Sequence, residues 1–428
     1  MSKQSTVYVI EKSINTYIGK KDYASMAGSS WPTYEEFINN ATVTDPAIQS
    51  ELNTFVDIMK ERYQHLRLTD GDALAADNQI RQNQVFFVKE VSAAKCTVPW
   101  NTLGVNANGE IFICQSPTWV PKFVGNITTA TDIYDILNSQ LAQNIRKEIV
   151  ANRYYYCNNK LCSFFAKLPT SLVTLHENQT APTKTPIDPA LLTVSQIPAS
   201  LIFDFDYTCN LKCPSCRDEV INWNTHYLRR PINDQIVDRI KHLVIDKIES
   251  QPISIRWAGG EPFLSEPYLE LFDYIIAQGK TNIQNIIQTN GSYLKSKVVK
   301  RLLPYISELR ISFDAATAET YAKTRINGNW DKLLDNVRYI NQVKTELGVN
   351  TRITADFVVQ SDNYKEIPMF VDLCKSLGIA HFNLQKMWNW GTWDNATFEQ
   401  NNIYNPAHPL YEDLTHYFKL AGQQILNG

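Results

Sequence analysis

The spacing of hydrophobic residues changes near residue 200. From Leu201 onward, short β-rich runs alternate with segments whose apolar residues recur every three or four positions, the spacing of an amphipathic helix. Six strand–helix units in succession predict an α/β fold with a parallel sheet and right-handed crossovers. Ligands of such folds bind where the strands end, so functional residues are expected directly after strands. The predicted strands are 201–206, 253–257, 283–288, 307–313, 353–359 and 380–385.

The first 199 residues lack this regular alternation. A strand is predicted at Val7–Ile10, and Asp45-Pro46 supplies the N-cap and the first helical residue of an amphipathic helix. A further helix is predicted near 131–149, and four prolines within 178–199 indicate a surface linker. The predicted organisation is a mixed helical region at 1–90, a cysteine-rich domain at 91–177, a linker at 178–199, a core at 200–390 and a C-terminal extension at 391–428.

Length and charge narrow the functional classes. A chain of 428 residues exceeds the size at which one hydrophobic core usually stops growing, so two or three domains are expected. The net charge is −3 and there is no long basic run, which argues against a nucleic-acid or membrane-surface partner. The N-terminal residues do not resemble a signal peptide, and no apolar stretch approaches the roughly 20 residues that span a bilayer. A soluble cytoplasmic protein is therefore expected.

Three of the eight cysteines lie together directly after the first predicted core strand. Cys209, Cys213 and Cys216 are spaced x3 and then x2. Three thiolates can bind three irons of a [4Fe–4S] cluster and leave the fourth iron open, whereas electron-transfer clusters use four protein ligands. The alternatives are a zinc site or three incidental buried cysteines. Structural zinc requires four ligands, and this loop contains no fourth cysteine or histidine, so the open cluster is favoured.

The Cys-x3-Cys-x2-Cys segment after a first β/α strand resembles the signature of the radical S-adenosylmethionine (SAM) superfamily. The resemblance implies a partial (β/α)6 barrel over 200–390 and a [4Fe–4S] cluster whose open iron binds the amino and carboxylate groups of SAM. It also implies that the reduced cluster cleaves SAM to a 5′-deoxyadenosyl radical, which removes a substrate hydrogen atom. An electron donor such as flavodoxin or ferredoxin is an expected partner.

Two further segments at strand ends resemble SAM-binding motifs of that family. Gly259, Gly260 and Glu261 follow the second strand, and by resemblance they bind the amino group of SAM. Paired glycines allow close backbone approach, and a glutamate can accept hydrogen bonds from an ammonium group. Asn290 lies in a Gln-Thr-Asn-Gly segment that ends the third strand. Each segment could instead be an ordinary turn.

The fourth strand adds two more candidates. By resemblance, Ser312 supplies a hydroxyl to the polar groups of SAM and Arg325 binds its carboxylate. Arg325 could also be a solvated helix residue. One position departs from the family pattern, because Ser215 stands before the last cluster cysteine where an aromatic residue near adenine is frequent.

A second group of cysteines precedes the core. Cys96 and Cys114 flank a predicted hairpin with an Asn-Gly turn, and Cys157 and Cys162 follow after a helix. Four thiolates suit either a [4Fe–4S] cluster or a structural zinc. The spacing resembles the SPASM/Twitch domains of radical SAM enzymes, which carry auxiliary clusters, although such domains usually follow the core. The resemblance therefore implies a small α+β Twitch/SPASM-like cluster domain at 91–177 with an auxiliary [4Fe–4S] cluster. Cys374 lies on the apolar side of a helix and is expected to be a packed core thiol.

The resemblance fixes the initiation of the reaction and leaves its outcome open. Modification of a ribosomally made peptide, by crosslinking or oxidation, is the first expectation, although residues 1–90 show no leader-peptide module. The alternatives are a sugar or cyclitol dehydrogenase and, in another class, a non-catalytic iron–sulfur carrier or zinc-stabilised binding module. Strand alternation places several polar residues as candidates to face the barrel interior. They are Arg256, Gln288, Arg310, Asp314, Asp356 and Gln360, of which Arg256, Arg310, Asp314 and Asp356 are the candidate catalytic side chains.

Overall fold

The computed structural model describes residues 96–151, 154, 156, 157, 162, 191–389 and 392–426. The strand predicted at Val7–Ile10, the helix predicted from Asp45 and most of the predicted linker lie outside the described residues. The chain forms two compact units. Among the described residues, the first unit takes 96–162 with its gaps, 191–205 and 227–253, and the second takes 206–226, 254–389 and 392–426.

The first unit is a small sheet with helices. Its sheet has the strand order β3-β2-β1-β4, in which β1 is antiparallel to β2 and parallel to β4. Its elements are α1 (Val98–Asn101), β1 (Thr102–Asn106), β2 (Glu110–Phe112), β3 (Gly125–Asn126), α2 (Ile133–Leu137), α3 (Gln140–Val150), β4 (Ser200–Asp204) and α4 (Arg229–Ile240), which continues as a π-helical segment over Lys241–Ile245.

The hairpin predicted at Asn108-Gly109 is confirmed. Gly109 has a positive φ of 74°, and its backbone N–H donates to the carbonyl of Asn106 at 2.9 Å, which closes the turn between β1 and β2. The sequence did not predict that the same hairpin shares a sheet with β4, the first predicted core strand. β1 pairs with β4 in parallel from Thr102 opposite Ser200 onward. Four of the five β1 residues are buried, as expected of a strand inside a sheet.

The second unit contains the remaining strands in the order β5-β6-β7-β8-β9, and β6 to β9 are parallel to their neighbours. All five were predicted from the sequence to within about one or two residues. The elements are β5 (Ile253–Trp257), α5 (Glu266–Ala277), β6 (Ile283–Thr289), α6 (Lys297–Leu302), β7 (Ile306–Ser312), α7 (Ala318–Thr324), α8 (Trp330–Leu347), β8 (Arg352–Val359), α9 (Ile367–Ser376), β9 (His381–Lys386), α10 (Asn395–Asn401) and α11 (Tyr411–Leu426), with 3₁₀ turns at Leu303–Tyr305 and Tyr364–Glu366.

One face of this sheet is apolar and packs under helices. Leu309 and Ile311 of β7 are fully buried, and Phe357 of β8 lies 4.8 Å from the ring of Phe370 in α9. Cys374 of α9 is 1% exposed, which confirms it as a packed core thiol. Because side chains alternate along a strand, the opposite face carries the intervening polar residues. This alternation brings polar side chains of β6, β7, β8 and β9 onto one surface.

The C-terminal segment packs onto the same helical layer. Tyr364, directly before α9, donates its hydroxyl to Asp413 of α11 at 2.6 Å, and its ring meets Tyr417 edge to face at 5.6 Å.

No helix in the described ranges is both long and apolar enough to cross a lipid bilayer.

Candidate active site

The loop that carries the three core cysteines is held by backbone hydrogen bonds. Cys209 and Ile221 exchange two of them, at 2.7 and 3.1 Å. The carbonyl of Cys213 accepts from the backbone N–H groups of Cys216 and Arg217 at 2.8 and 2.9 Å, which forms a tight turn. Cys209 and Cys213 are buried, whereas Cys216 is exposed. These backbone hydrogen bonds therefore fix the conformation of the loop that carries the three thiols.

Each of the three thiols accepts an N–H from a different side chain. Asn290 donates to the Cys209 sulfur at 3.7 Å. Arg325 donates to the Cys213 sulfur at 3.5 Å, and Arg217 to the Cys216 sulfur at 3.4 Å. Such donors, two of them cationic, stabilise the thiolate form that binds iron. The donor set therefore fits a cluster with three cysteine ligands.

Burial opposes ionisation of the two inner thiols. Burial raises the pKa of Cys209, although the nearby charge of Arg217 lowers it. Burial also raises the pKa of Cys213 to about 11, although the charge of Arg325 lowers it. Without iron these thiols therefore keep their protons at neutral pH. Iron binding would release those protons and recover the favourable interaction with both arginines.

The Gly259-Gly260-Glu261 turn touches the backbone immediately before Cys209. A Cβ on Gly260 would lie 2.1 Å from the carbonyl oxygen of Thr208, so only glycine fits there. The backbone N–H of Glu261 donates to the same carbonyl at 2.7 Å, and Gly259 has a positive φ of 95°. The fold thus brings together two segments that the sequence placed at separate strand ends.

The carboxyl group of Glu261 is buried and surrounded by hydrogen-bond donors. It accepts the backbone N–H groups of Phe263 and Asn290 at 3.2 and 2.7 Å, and the hydroxyl of Thr289 at 2.8 Å. Glu261 is 0% exposed, and burial raises its pKa to about 7 although these hydrogen bonds oppose the shift. A cationic ligand beside this carboxyl would favour its ionised form.

Asn290 and Ser312 point to different neighbours. The side-chain N–H₂ of Asn290 bonds to Asn210 at 2.9 Å as well as to Cys209, so Asn290 faces the cysteine loop. The hydroxyl of Ser312 accepts from Gln288 at 3.0 Å and lies with the polar face of the sheet.

Arg325 is held by Asp314. The two side chains form an ion pair at 2.7 Å, and the other carboxylate oxygen of Asp314 accepts the backbone N–H of Val358 at 2.7 Å. Asp314 has a positive φ of 54°, a conformation that non-glycine residues seldom adopt. Because both of its carboxylate oxygens are engaged, Asp314 serves to position Arg325. Within the described residues the buried Nε of Arg325 has no hydrogen-bond partner, which leaves a donor for a ligand carboxylate.

A row of polar side chains crosses the polar face of β6 to β9. Asp356 accepts from Gln288 at 3.0 Å and from Asn383 at 2.8 Å, and burial raises its pKa. Arg310 pairs with Glu308 at 3.1 Å on the same face of β7. Two candidates remain. Arg256 is half-buried on β5, and Gln360 is buried directly after β8.

Arg217 was missed by the sequence analysis. Its guanidinium donates to the carbonyls of Tyr207 and Gly259, both at 2.6 Å, besides the Cys216 sulfur. Arg217 is only 6% exposed. The one available signal was a charged residue directly after the last cysteine of the motif.

Asp206 was also missed. Its carboxylate accepts the backbone N–H of Thr208 at 2.8 Å and the hydroxyl of Ser265 at 2.5 Å, and the residue is completely buried. Ser265 is also the N-cap of α5. Asp206 therefore ties the start of the cysteine loop to the helix that follows β5.

The second cysteine group lies in the first unit. Cys96 precedes α1 and Cys114 follows β2, and burial raises the pKa of Cys114 to about 12 with smaller effects of Cys96 and Cys162. Burial also raises the pKa of Cys157, again with contributions from the other three thiols. The hydroxyl of Tyr154 accepts the backbone N–H of Cys96 at 3.4 Å. The four thiols are therefore near enough to influence one another.

Within the described part of the chain, no three cysteine, histidine or acidic side chains converge tightly enough to bind one metal ion. A cubane cluster does not require that convergence, because each thiolate binds a different iron.

Two family profiles match the chain. Residues 205–373 match the radical SAM superfamily. Residues 96–163 match SPASM, an iron–sulfur cluster-binding domain. The two matches cover the two cysteine groups separately.

Curated relatives match over part of their length. The chain is 26% identical over 180 residues to a probable GTP 3′,8-cyclase of Methanocaldococcus jannaschii, which covers 42% of this chain and 56% of that protein. It is 22% identical over 178 residues to a probable GTP 3′,8-cyclase of Saccharolobus islandicus, with 42% and 53% covered. The chain thus spans about half the length of the curated relatives it matches.

Solved structures show a distant similarity. Native anSMEcpe with bound AdoMet is 20% identical, with 44% of this chain and 52% of that chain covered and a TM-score of 0.33. Streptococcus suis SuiB bound to S-adenosylmethionine is 18% identical, with 67% and 61% covered and a TM-score of 0.32.

The profiles determine the class of protein and its cofactors. The radical SAM domain implies a [4Fe–4S] cluster and SAM, and the SPASM domain implies an auxiliary iron–sulfur cluster, which disfavours zinc. A non-catalytic carrier or binding module is likewise disfavoured. The chain therefore carries a radical SAM domain at 205–373 and, preceding it, a SPASM iron–sulfur cluster-binding domain at 96–163.

Proposed function

We propose that this enzyme modifies a ribosomally made peptide, by forming a crosslink or by oxidising a side chain or backbone carbon. The observation that carries the proposal is the pairing of a three-cysteine group with a four-cysteine group matched by SPASM. By resemblance, radical SAM enzymes with such a domain mostly modify peptides or dehydrogenate small polyols. The four-cysteine group has no vacant iron, so its task differs from SAM cleavage.

In this proposal the residues of the second unit hold the cofactors. Cys209, Cys213 and Cys216 bind three irons, while Asn290 and two arginines donate hydrogen bonds to their sulfurs. When bound, the cluster and SAM supply the 5′-deoxyadenosyl radical that removes a substrate hydrogen atom. An electron donor such as flavodoxin or ferredoxin in the cytoplasm would reduce the cluster.

The same geometry supports the proposed SAM contacts. Glu261, with Gly259 and Gly260, holds the amino group, because its carboxyl is buried beside the cysteine loop. Arg325 offers its buried Nε to the carboxylate, and Ser312 offers a hydroxyl from the polar face of the sheet. These groups orient SAM before any chemistry occurs.

The polar row is the proposed substrate surface. Gln288 and Asn383 flank Asp356, and Arg310 lies on the neighbouring strand. Amide and carboxylate groups can bind the N–H and C=O groups of an extended peptide. Arg310 and Asp356, with Arg256 on β5, are the side chains proposed to contact the reacting part of the substrate.

A second candidate function is radical dehydrogenation or rearrangement of a hydroxyl-rich small molecule, such as a sugar, a cyclitol or a nucleotide. It is favoured by the curated relatives, which are named probable GTP 3′,8-cyclases. The same polar row could bind hydroxyl groups.

Turnover with defined substrates separates these candidates. Anaerobically reconstituted and reduced enzyme is incubated with SAM and either a peptide library or a panel of deuterated polyols and nucleotides. Substrate-dependent 5′-deoxyadenosine with a mass change in a peptide supports the proposal. Deuterium transfer from a small molecule instead supports the second candidate, and failure of the reduced enzyme to cleave SAM under any condition contradicts both.

The metal content tests the assignment of two clusters. We expect anaerobically reconstituted protein to contain about eight irons and about eight sulfides, because each cysteine group binds a four-iron cluster. Iron, sulfide and zinc are measured on the same sample. About four irons with one equivalent of zinc would contradict the auxiliary cluster and leave the core cluster intact.

Glu261→Gln should weaken SAM binding about ten- to hundredfold at pH 8, because a charge-assisted contact is lost. The pKa of Glu261 is raised to about 7, so the carboxylate that attracts the ammonium is present above that pH and is lost below it. SAM affinity of the wild-type enzyme should therefore fall as the pH drops through about 7, and the variant should show a weaker dependence that comes from the SAM amino group alone. Isothermal titration of cluster-loaded protein measures both effects.

The matched control is Glu319→Gln, because Glu319 is an exposed residue paired only with Lys323 on α7. Its SAM affinity and pH dependence should equal those of the wild type. Arg325→Ala should weaken SAM binding in the same range, although it also leaves Asp314 unpaired, so its melting curve must be compared. Wild-type affinity at every pH in Glu261→Gln would refute the assigned amino-group contact.

A further inference from the structure

Arg217 connects three parts of the site through one planar group. Its Nη1 donates to the carbonyl of Tyr207, two residues before the first cluster cysteine. Its Nη2 donates to the carbonyl of Gly259 and to the sulfur of Cys216. Few side chains could make these contacts together, because they require a rigid fork of N–H donors.

We propose that Arg217 is a positioning residue that locks the Gly259–Glu261 turn to the cysteine loop and places a positive charge beside the cluster. The inference rests on the proposed function for the identity of the bound groups. Its two consequences, for SAM affinity and for cluster reduction, can be measured separately.

The locking role follows from how closely the two segments approach. Gly260 lies so near the carbonyl of Thr208 that a Cβ would not fit, and the N–H of Glu261 bonds to that carbonyl. This hydrogen bond is one backbone connection between the turn and the segment that precedes Cys209. Arg217 adds a second connection through the Gly259 carbonyl, so Glu261 is held at a fixed distance from the iron-binding sulfurs.

The charge of Arg217 faces the cysteine sulfurs and also lies near enough to the carboxyl group of Glu261 to favour its ionised form. Within the described part of the chain it hydrogen-bonds to two neutral carbonyls and a cysteine sulfur, whereas Arg325 is paired with Asp314. Since a cluster gains negative charge on reduction, a buried cation at a coordinating sulfur favours the reduced form.

Two substitutions separate the two roles. Arg217→Met removes the charge and the fork, and Arg217→Lys keeps the charge without the fork. In Arg217→Met, the ratio of reduced to oxidised core cluster at a fixed potential should fall about tenfold, equal to a shift of about 59 mV, and SAM affinity should fall about tenfold. In Arg217→Lys, SAM affinity should fall similarly while the reduced fraction stays near that of the wild type.

The measurements are a redox titration followed by electron paramagnetic resonance without SAM, isothermal titration with SAM, and iron content with a melting curve. The matched control is Arg301→Gln, an exposed arginine of the same unit paired with Asp273, which should change none of them. Arg217→Met with full iron and wild-type potential and affinity would overturn the proposal.

Arg217→Lys decides the question if Arg217→Met does not retain iron. A loaded Arg217→Lys enzyme with wild-type SAM affinity would overturn the locking role, and a tenfold loss would support it. The redox shift does not depend on SAM cleavage. If the wild type never yields 5′-deoxyadenosine but the shift is present, the proposed function fails and the placement of the charge stands.

Discussion

Replacing Cys209, Cys213 or Cys216 by alanine should lower the formation of 5′-deoxyadenosine by at least about a thousandfold, even with a strong chemical reductant. The reason is that only an iron without a protein ligand can chelate SAM, and that iron belongs to the cluster these cysteines hold. Anaerobic incubation with dithionite and SAM, followed by chromatography of the nucleoside products, measures the effect. Iron content should fall to about that of one four-iron cluster.

Cys374→Ala is the matched control for these three variants. Cys374 is buried, as Cys209 and Cys213 are, but it packs among apolar residues of α9. Its loss should reduce thermal stability through a small cavity and leave both iron content and SAM cleavage unchanged. If a folded variant of any of the three cluster cysteines cleaved SAM at the wild-type rate, the core cluster would have to be bound elsewhere.

The three cysteine variants are expected to differ in how much iron they retain. Cys209 and Cys213 are buried and receive their N–H donors from Asn290 and Arg325, whereas Cys216 is exposed and depends on Arg217. A two-cysteine cluster at Cys209 and Cys213 would be shielded from solvent better than one lacking either inner ligand. Of the three variants, Cys216→Ala is therefore expected to retain the most iron.

The sequence predicted the strands of the second unit because their pattern is local. Apolar and polar residues largely alternate along the sequences of β6, β7 and β8, and each strand ends in a turn or polar segment. Motif residues such as Glu261 and Asn290 could be predicted as candidates because they follow strand ends, where parallel sheets bind ligands.

The features that the sequence did not predict all depend on contacts between distant segments. The parallel pairing of β1 with β4 joins strands nearly a hundred residues apart and leaves no local signal. Arg217 and Asp206 resemble ordinary loop residues until the fold places Gly259 and Ser265 beside them. Their roles come from burial and from carbonyls or hydroxyls that only the folded chain supplies.

Asp314 shows that a sequence pattern cannot place a side chain where the backbone leaves the extended conformation. Strand alternation assigned it to the barrel interior as a candidate catalytic acid. In the structure its positive φ turns the carboxylate toward Val358 and Arg325, and both oxygens are engaged. Period-two alternation holds only while the backbone stays extended, and Asp314 lies two residues beyond the end of β7. It remains important to the site through Arg325.

The Cys157→Ala, Cys162→Ala double variant should separate radical formation from product formation. Its core cluster is ligated by residues of the other unit, so SAM cleavage without substrate should stay within about twofold of the wild type. We propose that the auxiliary cluster receives an electron from the substrate radical, so product yield should fall by at least about a hundredfold. Iron content, 5′-deoxyadenosine and product are measured in one anaerobic reaction.

Loss of two ligands can also weaken the first unit, because a structural metal contributes folding free energy. Circular dichroism and a melting curve must therefore accompany the assay, and the variant must retain about four irons. A folded double variant that turns over substrate at the wild-type rate would show that the four-cysteine group takes no part in the reaction. A folded variant with a loaded core cluster that no longer cleaves SAM would instead show that the two groups act together before radical formation.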